Sequence, residues 1–329
     1  MRSAYIALAL TLFCAAMTAC ADEQKKPLQI DSKSVPIATG EDAAKSIGKL
    51  AHLGTLRLTS PDGNFGGISG LIVAEDGSRF LAITDSSHWL TGKLTYRGTK
   101  LVGATGTEIA PLLDKDGKPM SGKEGDAEGL TGSLDGDVYI SFEGNHRLWR
   151  YAFGTHGLLA KPTSVAVPAD LANAPRNGGL EAITLLKDGR ILGITETYYN
   201  DAGDSSRAWL WNLKTKTFES LVIHRRMPFD VTDVRQLDSG DILTLERRFS
   251  RTGGIGFSMR QFTAPQLKQN AKLDGEVIAD AGMNFNIDNM EALSVRTGSN
   301  GETLIYLASD DNFNAPLQQN LLMLFELRQ

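Results

Sequence analysis

Residues 66–85 read GGISGLIVAEDGSRFLAITD, two apolar runs that are joined by an Asp-Gly turn and closed by an acidic residue. Short β-rich runs on either side of such a turn are typical of a β-hairpin. The pattern returns as DAEGLTGSLDGDVYISFE (126–143), GGLEAITLLKDGRILGITE (178–196), DVTDVRQLDSGDILTLE (230–246) and NMEALSVRTGSNGETLIYLASD (289–310). The stretch is therefore one unit of an internal repeat.

The repeat predicts an all-β fold, a single β-propeller. Successive units begin roughly 50 to 60 residues apart, which is close to one four-stranded blade with its loops. Five blades are favoured, and six are the alternative if a segment between repeats holds a degenerate unit. The last unit ends one strand short after NLLMLFELR (320–328), and HLGTLRLT (52–59) would supply that strand. Ring closure by this N-terminal strand removes exposed strand edges.

Charge and cysteine content narrow the classes of function. The chain has 329 residues and a net charge of −5, so nucleic-acid binding is not expected. Its two cysteines, Cys14 and Cys20, both lie near the N-terminus, so the mature domain is expected to lack disulfides and cysteine metal sites. A monomer is the default expectation because a closed propeller needs no partner.

The N-terminus has the features of a secretory signal peptide, predicted over residues 1–21. Met17-Thr18-Ala19-Cys20 resembles a bacterial lipobox in which Cys20 is lipidated, whereas Ala19-Cys20-Ala21 also fits an ordinary cleavage site that removes Cys20. The lipoprotein interpretation is favoured. The protein is accordingly expected in the bacterial cell envelope, in the periplasm or on the outer membrane, with membrane contact only through a lipid on Cys20.

The remaining chain divides into two predicted parts. Residues 22–48 are polar, contain EQKKP near their start and lack sustained periodicity, which predicts a tether. Residues 49–329 are predicted to form the propeller domain.

Aligned on their first strands, the repeats place acidic residues in two columns. The inner column, in the first strand, comprises Ser69, Glu128, Glu181, Asp233 and Glu291. The second column, at the end of the second strand, comprises Asp85, Glu143, Glu196, Glu246 and Asp310. Because the second strand of a blade returns antiparallel to the first, both columns are expected at one face around the axis.

Converging carboxylates repel one another and need a counter-charge or shared protons. A divalent cation with oxygen ligands meets that need, Ca²⁺ before Mg²⁺ because it tolerates irregular geometry. The predicted metal ligands are Glu128, Glu181, Asp233 and Glu291. In the alternative interpretation, each acid bonds backbone N–H groups of the next blade and holds it in place. Ser69 is interpreted as structural because its GGISG context resembles a nucleophile elbow only loosely.

Side chains that follow the second column enrich the same face. His88 in SSHW and His146 in GNHR are the candidates for proton transfer. Arg247 and Arg248 present planar forks suited to phosphate or carboxylate, although a solvated loop face explains a single Arg or His equally well. Further predicted contacts with a small anionic or ester substrate are Asp85, Glu143, Glu196, Asp310 and Asn312.

Several of these segments resemble a known family. GGISGL, DAEGL, GGLEAIT, DVTDVRQLDSGDILTLERRF and NMEAL followed by SDDNF are similar to the phytase-like family that is described by an esterase-like activity of phytase. The resemblance runs from residue 62 to the C-terminus, and LERRF and SDDNF are its most specific parts. It implies an exported or envelope-bound bacterial propeller that hydrolyses phosphate or carboxylic esters. It assigns no catalytic residue.

Three functions stay open at this stage. The first is a metal-assisted hydrolase of phosphate or carboxylic esters at the acidic face. The second is a non-catalytic envelope propeller that binds a ligand or a protein and holds a structural Ca²⁺. The third is a lactonase-like enzyme with a central Ca²⁺. The fold by itself does not separate them.

Overall fold

The computed structural model describes residues 25–38, 45–250, 253–314 and 317–328. The predicted signal peptide and Cys20 lie outside the described residues. The described chain forms a five-bladed β-propeller, which confirms the predicted fold class and the favoured number of blades. Among the described residues, every helix is too short or too polar to cross a membrane.

The strands follow one another blade by blade around the ring. The chain before the first blade forms β1 (Lys26–Pro27), β2 (Asp31–Ser34), β3 (Ser46–Ile47) and β4 (Leu50–Thr59). Blade 1 contains β5 (Ile68–Val73), β6 (Arg79–Thr84), β7 (His88–Arg97) and β8 (Lys100–Pro111). Blade 2 contains β9 (Ala127–Gly132), β10 (Val138–Phe142), β11 (Arg147–Tyr151) and β12 (Pro162–Val165). Blade 3 contains β13 (Leu180–Leu185), β14 (Arg190–Tyr199), β15 (Ser205–Asn212) and β16 (Thr217–His224).

Blades 4 and 5 complete the ring. Blade 4 contains β17 (Asp230–Gln236), β18 (Ile242–Ser250), β19 (Gly254–Phe262) and the outer strand β21 (Glu276–Ala281). Between β19 and β21, the short strand β20 (Lys272–Leu273) pairs with β16 of blade 3. Blade 5 contains β22 (Asn289–Thr297), β23 (Thr303–Asp310) and β24 (Asn320–Leu327). The short helix α1 (Phe153–His156) and 3₁₀ turns occupy loops, the latter at Gly122–Glu124, Gly157–Leu159, Ala169–Asn173 and Ala264–Gln266.

The ring closes with a strand from the other end of the chain. β4 pairs antiparallel with β24, from Leu50 opposite Leu327 to Leu58 opposite Asn320. This is the predicted closure, and it covers the edge that β24 would otherwise expose.

The segment predicted as a polar tether belongs, where it is described, to the packed domain. β1 pairs with β8 and β2 pairs with β4 on the outside of blades 1 and 5. Leu28, Ile37 and Ile47 are buried. The tether prediction therefore does not hold for residues 25–38 and 45–48, because apolar residues spaced between polar ones cover the outer strands.

The Asp-Gly turns that define the repeat have the expected conformation. Gly77 and Gly189 adopt φ of 76° and 84°, the left-handed region that glycine enters without steric cost. The preceding aspartates accept local bonds: Asp76 Oδ1 from the backbone N–H of Ser78, and Asp188 Oδ1 from that of Arg190, each at 2.9 Å.

Apolar clusters fill the space between neighbouring blades rather than the axis. Trp89 of blade 1 packs with Tyr151 of blade 2, and Phe257 of blade 4 packs with Phe325 of blade 5. Similar clusters join the other neighbours. The axis is thus left to polar side chains. We call the face where the inner strands begin the upper face and the opposite one the lower face.

Candidate functional site

An irregular register at the start of each inner strand shows which residues of the repeats are equivalent. In blade 3, Leu180 pairs with Thr195 and Ala182 pairs with Ile194, so Glu181 is an extra residue that forms a β-bulge. Bulges are common beside functional sites, where they redirect a side chain. The residues at the corresponding irregularity in blades 1, 2 and 5 are Ser69, Glu128 and Glu291.

Blade 4 differs from the sequence alignment by one residue. Val231 pairs with Glu246 and Asp233 pairs with Leu245, so the bulge residue is Thr232. Asp233, predicted in the inner column, occupies instead the position that Ala182 has in blade 3. The inner column in the structure is Ser69, Glu128, Glu181, Thr232 and Glu291.

The same shift changes the second column. Glu246 remains within the sheet, where its Oε1 accepts bonds from Arg260 Nε at 2.6 Å and Thr244 Oγ1 at 2.8 Å. Arg247 pairs with Asp230 and takes the equivalent position in blade 4. The other blades fill that position with the predicted residues Asp85, Glu143, Glu196 and Asp310. A guanidinium therefore stands where the sequence alignment predicted a fifth acid.

These two columns form the candidate site at the upper face. We call it the acidic cup and define it as Asp85, Asp126, Glu128, Glu143, Glu181, Glu196, Arg247, Glu291 and Asp310. Asp126 joins the set because its carboxylate, with those of Glu128 and Glu143, forms a trio with one oxygen from each within 4.8 Å of the others. That spacing suits oxygen ligands around one cation.

The floor of the cup is an ion pair on the propeller axis. Asp233 Oδ1 accepts from Arg235 Nη1 at 2.6 Å, and its Oδ2 accepts from the backbone N–H of Leu293 at 2.7 Å. The Arg235 guanidinium also donates to backbone carbonyls of three other inner strands, those of Leu71, Leu130 and Ile183. The prediction of Asp233 as a metal ligand is corrected accordingly: both its oxygens are engaged, and the pair ties the five blades together.

Arg247 neutralises part of the cup. Its Nη2 donates to Glu196 Oε1 at 3.0 Å, and its Nε lies 2.8 Å from Glu291 Oε1. The Nε–H bond is not directed at that oxygen, so the second contact is an ion pair without a hydrogen bond. Asn289 Nδ2 donates to the same Glu291 oxygen at 2.8 Å. Glu196 and Glu291 thus have cationic or polar partners.

Glu181 has no such partner. Its side chain is buried, with 8% of the residue exposed, and its carboxylate accepts no hydrogen bond from any described residue. The strongest electrostatic effects on its carboxylate come from other acids, first Glu128 and then Glu196, while Arg247 acts on it without forming an ion pair. An unpaired buried carboxylate is costly unless it is protonated or binds a cation. Glu181 is therefore the strongest single sign that the cup holds a positively charged ligand.

Burial and mutual repulsion shift the proton affinity of the whole cup. Burial, followed by repulsion from neighbouring carboxylates, raises the pKa of Glu128 and of Glu181 well above the usual range. Burial raises the pKa of Asp85 to about 7, with repulsion from Asp310 added, and that of Asp310 itself to about 6. The pKa of Glu291 is raised by burial to about 8, although Arg247 opposes the shift.

The rim beside Asp85 depends on close backbone approach. A Cβ at Gly67 would clash with Asp85 Oδ1, a buried oxygen for which the described ranges supply no hydrogen-bond donor. Asn312, predicted as a substrate contact, donates its backbone N–H to Asp310 Oδ1 at 2.6 Å. It therefore fixes the orientation of the Asp310 carboxylate through its main chain.

The predicted histidines lie apart at the upper face, His88 at the start of β7 and His146 in the turn before β11. His88 Nδ1 is 2.8 Å from the Ser86 carbonyl oxygen. His146 Nε2 is 2.9 Å from the Pro175 carbonyl oxygen. The His146 ring also packs against the backbone of Gly179, where a Cβ would clash with it. The N–H of Gly179 donates to Glu143. Each ring thus has one nitrogen engaged with the backbone.

Arg248 points away from the cup, unlike its neighbour Arg247. Its Nη1 donates to the Gly253 carbonyl oxygen at 2.9 Å, and its guanidinium lies 5.7 Å from the centre of the Phe229 ring. The two arginines that the sequence grouped together are therefore separated, as expected for successive residues of a strand.

Three residues of the site were missed from the sequence. Thr232 and the position of Arg247 would have followed from a one-residue gap in the fourth repeat. Asp126 stands two residues before Glu128, as Asp230 stands two residues before Thr232, a spacing that the sequence already contains. Arg235 had no sequence signal, since its role depends on backbone carbonyls from distant strands.

A family model described as phytase-like, esterase-like activity of phytase, matches residues 63–313, which is most of the chain. The chain belongs to the phytase-like family. The match confirms the resemblance inferred from the sequence segments. A comparison with curated proteins finds no match.

The matched part of this phytase-like chain contains every residue of the acidic cup. It leaves out β4 and β24, the two strands that pair to close the ring. The family assignment and the site therefore concern the same inner strands.

Solved structures similar to this phytase-like protein are distant in sequence. A protein of unknown function from Bacteroides caccae has 12% identity and a TM-score of 0.32, covering 72% of this chain and 67% of its own. The PQQ-bound aldose sugar dehydrogenase of Streptomyces coelicolor has 13% identity and a TM-score of 0.47, covering 91% and 99%. U3-55K has 10% identity and a TM-score of 0.41, covering 93% and 99%. At these values the likenesses bear on neither site nor substrate.

Proposed function

We propose that this protein is an exported hydrolase that cleaves phosphate or carboxylic esters in the acidic cup with the help of a bound divalent cation, Ca²⁺ first. The observation that carries the proposal is Glu181: its side chain is buried among other acids and has no hydrogen-bond or ion-pair partner in the described part of the chain. Membership of the phytase-like family agrees with ester hydrolysis as the reaction class.

The donor set fits a hard cation. Within the described ranges, Arg247 forms ion pairs with Glu196 and Glu291 but not with Glu128 or Glu181. Asp126 and Glu143 supply further carboxylate oxygens close to Glu128. Oxygen ligands in an irregular arrangement suit Ca²⁺ better than Mg²⁺. We assign Glu128 and Glu181 as the principal ligands, with Asp126 and Glu143 beside them. Glu291, whose Oε1 already contacts Arg247 and Asn289, would contribute less to cation binding.

The reaction would add water across the ester bond and release an acid and an alcohol. When bound, the cation polarises the ester oxygen and lowers the pKa of a nearby water. Arg247 uses Nη2 and Nε for Glu196 and Glu291, so its Nη1 can donate to an anionic oxygen of the substrate. A cup carboxylate such as Asp85, whose Oδ1 has no hydrogen-bond partner among the described residues, would accept the proton of the attacking water.

A second candidate is a non-catalytic binding propeller with a structural cation. Glu143 favours it, because its Oε1 accepts the backbone N–H groups of Gly178 and of Gly179, the latter at 2.8 Å. That contact joins blade 2 to blade 3, which is the blade-fastening role that repeated acids can have.

Turnover and metal dependence separate these candidates. The purified protein would be assayed on aryl phosphate, aryl carboxylate and lactone substrates in EDTA and then in excess Ca²⁺. The proposal expects ester hydrolysis that EDTA abolishes and Ca²⁺ restores, and that falls at least a hundredfold in Glu181→Gln. A cation that raises the melting temperature without hydrolysis of any substrate supports the binding propeller. Hydrolysis at full rate in EDTA and in Glu181→Gln contradicts the proposed mechanism.

A further inference from the structure

Exposed apolar side chains are concentrated at the upper face. Of the large hydrophobic residues that the described chain exposes, Val277 lies in the outer strand β21 of blade 4. The others lie in loops or strand ends at the upper face: Met227, Phe249, Met283, Phe313 and Leu317. We call these five residues the apolar rim. Such a concentration at one end of a propeller marks an interaction surface.

Two arginines lie beside the rim, of which Arg226 is ion-paired with Asp280 and Arg248 donates to the Gly253 carbonyl oxygen. The guanidinium groups of Arg226 and Arg248 lie 4.8 and 5.7 Å from the centre of the Phe229 ring, between Met227 and the end of β18. Phe249 and Met227 are 69% and 67% exposed. Large apolar residues exposed at one end of a protein can bury apolar area at the headgroup and acyl boundary of a lipid bilayer.

The N-terminal chain enters the domain at the same face. β1 runs antiparallel to β8, with Lys26 opposite Ile109, and β8 ends at Pro111 at the upper face. Lys25, the first described residue, therefore lies at the upper edge of blade 1. Cys20 is only five residues further, a reach of at most about 18 Å at full extension.

We propose that the upper face docks on a lipid bilayer, with the apolar rim at the membrane surface. A lipid on Cys20, as the sequence predicts, would hold this face within that short reach of the bilayer. One lipid chain gives only marginal, reversible anchoring, so a second contact adds to it. The docked orientation turns the acidic cup toward the headgroup region. The docking does not depend on the proposed hydrolase activity.

The test places an environment-sensitive fluorophore on single cysteines. The introduced thiol is the only free one in the processed chain, because Cys14 and Cys20 are removed or blocked with the signal peptide. The labelled variants are Phe249→Cys and Leu317→Cys at the rim and, as the matched control, Val277→Cys. The processed protein is mixed with phosphatidylethanolamine–phosphatidylglycerol vesicles, with and without lipids that carry a quencher in the acyl chain.

The proposal expects at least a threefold rise in emission at positions 249 and 317, a blue shift, and quenching by the labelled lipids, with no change at 277. Circular dichroism and a melting temperature close to that of the unsubstituted protein check that each variant is folded. Equal responses at all three positions, or none at any, would overturn the proposal. The second outcome would point instead to a protein partner for the rim.

Discussion

Asp233 and Arg235 form a 2.6 Å ion pair on the propeller axis, and their side chains are 1% and 9% exposed. Arg235 donates hydrogen bonds to backbone carbonyls of blades 1, 2 and 3, and Asp233 accepts one from the backbone of blade 5. The acids near the axis therefore fall into two groups. Asp233 has partners and serves the fold, whereas Glu181, without partners, faces the cup.

The first prediction concerns that ion pair. Asp233→Asn leaves the Arg235 charge buried without its counter-ion, which typically costs about 3–5 kcal/mol. Urea unfolding should show this loss, while ester hydrolysis per folded molecule changes less than twofold. A drop in activity without a loss of stability would support Asp233 as a metal ligand.

The second prediction concerns Glu181. Glu181→Gln removes a repelled buried charge, so the cation-free protein at pH 8 should unfold at a higher temperature than the unsubstituted protein. The rise in melting temperature caused by Ca²⁺ should be lost in the same variant. Glu75→Gln, an exposed acid at the lower face, is the matched control and should behave like the unsubstituted protein. Unchanged Ca²⁺ stabilisation in Glu181→Gln would remove Glu181 from the cation site.

The third prediction is the pH dependence of stability without a cation. The pKa values of Asp310, Asp85 and Glu291 are about 6, 7 and 8, above the ordinary values of about 4 in an unfolded chain. The folded protein thus binds more protons, and its free energy of unfolding falls as pH rises from about 4 to about 8. Thermal unfolding in EDTA at steps across this range measures the fall. Added Ca²⁺ should stabilise more at pH 8 than at pH 5, because protons compete with it; a flat profile contradicts the cup electrostatics.

The fourth prediction separates two adjacent arginines. Arg247→Gln removes the partner of Glu196 and Glu291 and the donor proposed for the substrate, so kcat/KM should fall at least tenfold, with KM affected. Arg247→Lys should not restore the rate, because an ammonium group cannot bridge two carboxylates as a fork. Arg248→Gln, whose side chain bonds the Gly253 carbonyl, is the control and should retain activity within twofold. Equal losses in both variants would place the substrate contact elsewhere.

The fifth prediction concerns the histidines. His88 Nδ1 is engaged with the Ser86 carbonyl oxygen, and burial lowers the pKa of the ring. If a cup carboxylate accepts the proton, His88→Gln should keep kcat within about threefold and leave the pH–rate profile unchanged. A loss of the basic or acidic limb of that profile would assign proton transfer to His88.

Periodicity was enough to predict most of the fold. The hairpin at 66–85 and its four repeats specify strands, turns and blades because turn chemistry and alternating burial are local properties. The strand at 52–59 was recognised as the ring-closing strand for the same reason. The outer strands near Leu28 and Ile37 were missed, because their few apolar residues form no periodic pattern and are buried only by packing on the blades.

The sequence predicted a cluster of acids at one face, and the structure changed which residues of blade 4 belong to it. Repetition by itself predicted that acids of the repeats meet at one face, and the structure brings Glu128, Glu181 and Glu291 to that face. Only the tertiary structure decided that blade 4 contributes Thr232 and Arg247 and that Asp233 belongs to the floor. The physical reason is the β-bulge: one extra residue in a strand changes which side chain turns inward, and strand pairing, not spacing along the chain, reveals it.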